Sequence, residues 1–173
     1  MRWFWLDRFT EFTCGKRATA VKGVALSEEH LHDHWPYYPV MPNTLIAEGM
    51  AQAGGLLVSE IYRFSELVVL AKFSKIAFHG LVRPGDVLTY RATIDQAKDA
   101  GASVTVTAHV GDRPQAEAEI FFARLAADSP DLPQGTRLFD PAHLLHWLKL
   151  VGVFEIGTRP DGTRLKIEDY NFN

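Results

Sequence analysis

Three histidines fall within five residues, at His30, His32 and His34, and a lone carboxylate, Glu48, stands in an apolar run a short way downstream. In an extended stretch alternate side chains share a face, so the three imidazoles form a conceivable nitrogen set for zinc, iron or nickel. Their spacing supplies neither a fourth ligand nor a partner to orient the rings. Surface histidines in a polar loop are the better account of His30 and His32. His34 differs, because Trp35 and Pro36 follow at once and tie it to a buried, rigid turn. Glu48 and Gln52 are spaced i,i+4 and share a helix face, with Gly55 and Ser59 continuing the stripe. A carboxyl group flanked by Ile46, Ala47, Gly49 and Met50 must be paired or stay protonated. Its plain structural use is to accept hydrogen bonds from backbone or from Gln52. Taken with His34 it suggests chemistry. An imidazole can remove a proton alpha to a carbonyl while a protonated carboxyl gives one to a departing hydroxyl. Unpaired amides at a helix start, Asn43 and Thr44, can polarise the carbonyl oxygen. Base, acid and oxyanion donors are what β-elimination of water needs.

Positioning these groups falls to the elements around them. Trp3, Phe4, Leu6, Phe9 and Phe12 recur at mixed spacings that read as a loose helical turn packed on a core. Residues 17–26 alternate as a strand, and the polar, histidine-rich residues 27–38 read as a loop. From Pro42 to about Tyr62 the chain is apolar nearly all round, a helix with proline suited to its first turn. Gly49, Gly54 and Gly55 each weaken it by about 1 kcal/mol relative to alanine, so their use is close backbone approach. Such a helix, roughly 30 Å long, must be wrapped. Strand patterns at residues 67–78, 88–94, 104–110 and 115–124, with turn signals at residues 83–86 and 111–114, supply the wrapping as antiparallel hairpins. Residues 128–135 have linker composition, and residues 141–154 form a short amphipathic helix. The fold class is α+β, a curled antiparallel sheet round one long central helix with a short C-terminal helical extension.

The 173 residues, 47% hydrophobic and 23% charged, match one soluble domain with an appendage. A net charge of −3 without a Lys/Arg cluster lacks the footprint of a nucleic-acid binder. Cys14 is alone, which excludes an internal disulfide and a cysteine-rich zinc site. No apolar run reaches the roughly 18 residues of a membrane span, and the first residues lack a signal-peptide core. A soluble, cytoplasmic protein is expected.

The run Asp33-His34-Trp35-Pro36-Tyr37-Tyr38-Pro39-Val40-Met41-Pro42-Asn43, followed by Glu48 and Met50-Ala51-Gln52, resembles the active-site motif of the FabZ-type 3-hydroxyacyl-[acyl-carrier-protein] dehydratases. Those enzymes carry Gly-His-Phe-Pro, then Pro-Val-Met-Pro-Gly, then Glu and Met-Ala-Gln on a central helix. Residues 20–24 and 75–88, with Pro84-Gly85-Asp86, agree with further family segments. The resemblance implies a hot-dog fold over residues 1–126, with residues 127–173 as linker and extension. It implies homodimers or trimers of dimers, each site taking its histidine from one subunit and its acid from the other. His34 is then the base and Glu48 the acid. Amides near Asn43 and Thr44 hold the thioester carbonyl, Gln52 contacts substrate, and the acyl chain lies in an apolar tunnel without cofactor or metal. The implied partner is acyl carrier protein, with Lys72, Lys75 and Arg83 as a candidate basic rim or as ordinary solvated charges.

Asp33 and Asn43 replace family glycines, and Trp35 a phenylalanine. They bear on rate and substrate more than on fold. Thioester hydrolysis on the same fold and a non-catalytic acyl-binding subunit are the alternative readings, and retention of both His34 and Glu48 argues against the first.

Overall fold

The computed structural model describes residues 4–125 and 140–172. Its central helix, α2 (Asn43–Ile61), buries Ile46, Met50, Ala53, Leu56, Leu57 and Val58. Burying each of the large side chains contributes on the order of 1.5–3 kcal/mol.

Six strands wrap this helix: β1 (Arg8–Thr13), β2 (Arg17–Gly23), β3 (Leu67–Phe78), β4 (Val87–Lys98), β5 (Gly101–Val110) and β6 (Arg113–Leu125). They form one sheet in the order β1-β2-β4-β5-β6-β3, antiparallel throughout. Period-two alternation turns Leu88, Tyr90 and Ala92, then Val104, Val106 and Ala108, then Ala118, Ile120 and Phe122 into the core. The alanines leave room for α2, and the helix glycines use it. A Cβ at Gly49 would lie 2.3 Å from the Tyr90 ring, and one at Gly54 would lie 3.1 Å from Phe122. This is the expected α+β hot-dog architecture, with helix and strands close to their anticipated bounds.

Three local expectations change. The N-terminal aromatic segment holds a strand, β1, rather than a helical turn. A bulge between Phe9 and Glu11 shifts the register, so Phe9 and Phe12 both face the core and imitate helical spacing. The histidine-rich loop contains one helical turn, α1 (His30–Asp33). The C-terminal helix is broken in two, α3 (Pro141–Leu150) and α4 (Val153–Ile156), by Gly152 at φ +75°. The Asp140 side chain caps α3 by accepting from the His143 amide at 3.3 Å. Residues 128–135, read as a linker, lie outside the described residues, as does Trp3.

The C-terminal segment packs on the same core as the sheet, through Leu148, Val151, Val153, Leu165 and Tyr170. It also lines the outer edge of β1. Phe9 donates its amide to Val151 at 2.8 Å, Thr158 donates to Phe12 at 2.9 Å, and Cys14 donates to Thr158 at 2.9 Å. One edge of the sheet is thereby covered.

Candidate active site

The segment carrying His34 is held from behind. Glu28 accepts hydrogen bonds from Lys22 Nζ and from the Ala25 amide, both at 2.9 Å. Leu31, 2% exposed, pins α1 to the core. Beyond it, the Met41 amide donates to Val82 at 2.8 Å and ties the chain to the Arg83–Asp86 turn. Between these anchors the chain stands out. His34 caps the C-terminal end of α1 and is exposed. Trp35 is 59% exposed and Tyr37 fully so, with φ at +65°. The expected buried turn is therefore open, because proline-punctuated backbone carries these aromatic side chains outward, where the described residues leave Trp35 and Tyr37 largely exposed.

The helical turn also separates the histidines. His30 and His34, four apart, share a side, and His32 points elsewhere. Among the described residues no three His, Cys, Asp or Glu side chains are grouped to hold a metal ion.

His34 lines an open cleft with Asp33, Pro42, Thr44 and Leu45. The first hydrogen bonds of α2 come from the Leu45 and Ile46 amides, both to the Pro42 carbonyl. The amides of Asn43 and Thr44 therefore lie in the unpaired first turn of the helix. No acidic side chain occupies that turn, so the positive end of the helix dipole is left for a ligand oxygen. Asn43 is the first helical residue, and Pro42 before it supplies no side-chain cap.

Glu48 lies one turn further along. Its Oε1 accepts from Gln52 Nε2 at 2.7 Å, and Gln52 Oε1 accepts from the Trp5 amide at 2.9 Å. Gln52, anticipated as a substrate contact, thus has both ends of its amide engaged and fixes the orientation of the carboxyl group. The Trp5 amide was not legible as part of the site, since a backbone donor leaves no mark on residue type. Beneath Gly49, Tyr90 is fully buried, and burial pushes its phenol well above the ordinary range.

Glu48 and Gln52 open onto a cavity of about 320 Å³ that follows the stripe through Gly55 to Ser59. It is a different cavity from the one beside His34. No hydrogen bond or ion pair within the chain joins His34 to Glu48 among the described residues. Of the basic-rim candidates, Lys75 is paired with Glu117 at 3.0 Å, while Arg83 donates to the Tyr38 hydroxyl at 2.7 Å beside the exposed aromatics.

Residues 3–118 match the FabA-like domain family model. A 3-hydroxyacyl-[acyl-carrier-protein] dehydratase FabZ of Oenococcus oeni is 36% identical over 118 residues, 68% of this chain and 85% of that protein. The chain belongs to the FabZ-type dehydratase family. A second FabZ, from Ruminiclostridium cellulolyticum, is 38% identical over 70% of this chain and 87% of its own length. The fold agrees with a crystallised Streptococcus mutans protein bound to acetyl CoA, at a TM-score of 0.60 and 17% identity, over 73% of this chain and 94% of that one. The family match contains His34, Asn43, Thr44, Glu48 and Gln52 and stops within β6, so α3 and α4 lie beyond it.

Proposed function

We propose that this FabZ-family chain dehydrates 3-hydroxyacyl thioesters on acyl carrier protein to trans-2-enoyl thioesters, in fatty-acid or related polyketide synthesis. The observation that carries the reading is the family match, which spans a histidine before the central helix and a carboxylate upon it. His34 takes the proton alpha to the thioester carbonyl. The electron pair it leaves forms the new double bond, the bond to the 3-hydroxyl breaks, and Glu48 protonates the departing oxygen so that water leaves. Proton exchange with solvent resets both groups. The amides of Asn43 and Thr44 receive the negative charge that builds on the carbonyl oxygen.

The working unit in this reading is a homodimer, soluble in the cytoplasm. Two features support the pairing. His34 and Glu48 line separate cavities of one chain, as a base and an acid contributed by different subunits do. Among the described residues strand β3 ends the sheet with its outer edge unpaired and Leu70 exposed, a surface that a second copy completes.

The test is enoyl absorbance with purified full-length protein and a 3-hydroxyacyl thioester on carrier protein. Wild type turns over, and His34→Ala and Glu48→Gln each lose at least about a hundredfold in kcat. An inactive wild type that instead releases free thiol overturns the reading in favour of hydrolysis.

A further inference from the structure

The cavity that begins at Glu48 is closed in part by residues the family match does not reach. Leu144 and Trp147, both on α3, share its wall with Leu67, Val68, Leu70 and Phe122. We propose that Trp147 and Leu144 limit the length of acyl chain this protein accepts, with α3 as a built-in wall to the space that receives the chain's distal carbons. The inference rests on the dehydratase reading for its substrate, and on geometry for its residues.

Four observations carry it. The cavity adjoins the acid, so a substrate whose hydroxyl meets Glu48 has this space beside it. It follows the helix from Glu48 to Ser59, roughly 16 Å at 1.5 Å per residue, and its lining is mostly apolar, as a hydrocarbon chain requires. Its volume of about 320 Å³ sits at the small end of ordinary ligand pockets, about 300–1,000 Å³, so any wall residue matters. The wall is also fixed. The Trp147 ring stacks on Phe4 at 4.9 Å, Phe4 stacks on His143 at 5.2 Å, and Leu148 on the same helix is fully buried. The carboxylate of Glu66 at the rim is already held by Arg124 through two contacts of 2.6 Å, so it presents a neutralised pair rather than a bare charge to an entering chain.

The experiment compares full-length wild type with Trp147→Ala, Leu144→Ala and Ser59→Met. Activity is read on 3-hydroxybutyryl, 3-hydroxydecanoyl and 3-hydroxytetradecanoyl thioesters of carrier protein. Binding is read separately by calorimetry with saturated acyl-pantetheine thioesters of the same lengths, which lack the hydroxyl and cannot be dehydrated, with free thiol monitored to exclude hydrolysis. Removing wall atoms raises the long-to-short ratio of kcat/KM and of affinity by about tenfold, and filling the groove with Ser59→Met lowers it by a similar factor. Leu150→Ala, on the exposed side of α3, leaves the ratio unchanged, which separates the wall from general weakening of the helix. An unchanged ratio in all the folded wall variants overturns the inference even if wild type is an active dehydratase. A shifted binding ladder in a protein without dehydratase activity upholds the wall and overturns the reaction.

Discussion

Gln52 donates to Glu48 across one turn of the central helix at 2.7 Å, while its own carbonyl oxygen is held by the Trp5 amide. The carboxyl group therefore has one oxygen committed, while the other takes no hydrogen bond from the described residues. Replacing Gln52 with leucine removes the clamp without touching the acid. We expect kcat to fall on the order of tenfold to a hundredfold, with KM little changed. A purely structural role would lower thermal stability and leave kcat of the folded protein in place.

Gly49→Ala sets two effects against each other. Helix propensity favours alanine by about 1 kcal/mol, but the added Cβ would lie 2.3 Å from the Tyr90 ring. Overpacking of this kind costs about 1–3 kcal/mol, sometimes more, and the clash wins because Tyr90 is buried on every side. Chemical denaturation should show a net loss. A more stable Gly49→Ala protein would mean that Tyr90 moves aside without cost.

The helix and five of the six strands were legible because their signals are local: period-two alternation, turn residues, and an apolar run too long to lie on a surface. Where local pattern and tertiary geometry part, the reading erred. The Phe9–Phe12 spacing looked helical because a bulge supplies the extra residue that alternation lacks. The exposure of Trp35 and Tyr37 could not be foreseen, since burial of that turn depends on what lies outside the chain. The stripe Glu48–Gln52–Gly55–Ser59 was visible as one face of a helix. Its opposite wall was not, because Leu144 and Trp147 reach it only through folding contacts distant in sequence.

The clamp behind His34 predicts acid sensitivity. Burial acts to raise the Glu28 pKa, but the Ala25 amide and Lys22 outweigh it and hold it below its ordinary value of 4.5. The unfolded chain then takes up the proton first, so the stabilisation present above that value is lost as pH falls through the folded one. His30, lowered from 6.5 chiefly by burial, with Lys22 and His34 adding and Glu28 opposing, acts in the same direction at higher pH. Thermal melts from neutral to acid pH should show stability falling on the acid side, with a shallower fall in Glu28→Gln. A pH-independent melting temperature over that range would contradict the clamp.

Cys14 tests the packing of the C-terminal segment. Burial first, then the neighbouring Glu60 carboxylate, pushes its thiol up to about 12, and Tyr170 from the C-terminal end donates to that same carboxylate at 2.9 Å. The folded pKa exceeds the ordinary 9.0, so the cysteine contributes stability below that value that is lost as pH rises towards the folded one. At neutral pH alkylation should proceed only as fast as the protein opens, and Tyr170→Phe should speed it. Rapid labelling of the folded wild type would show that the segment does not seal the thiol.

The central claim, that His34 and Glu48 form one dehydrating pair contributed by two subunits, is tested most directly by complementation. His34→Ala and Glu48→Gln are each assayed alone and then co-expressed, and enoyl formation is measured. Each variant alone should be inactive. In randomly paired dimers half the molecules are mixed, and each of those holds one intact site of two, so roughly a quarter of wild-type activity should return. A co-expressed protein as inactive as its parents, or a single variant that retains full activity, would contradict the account.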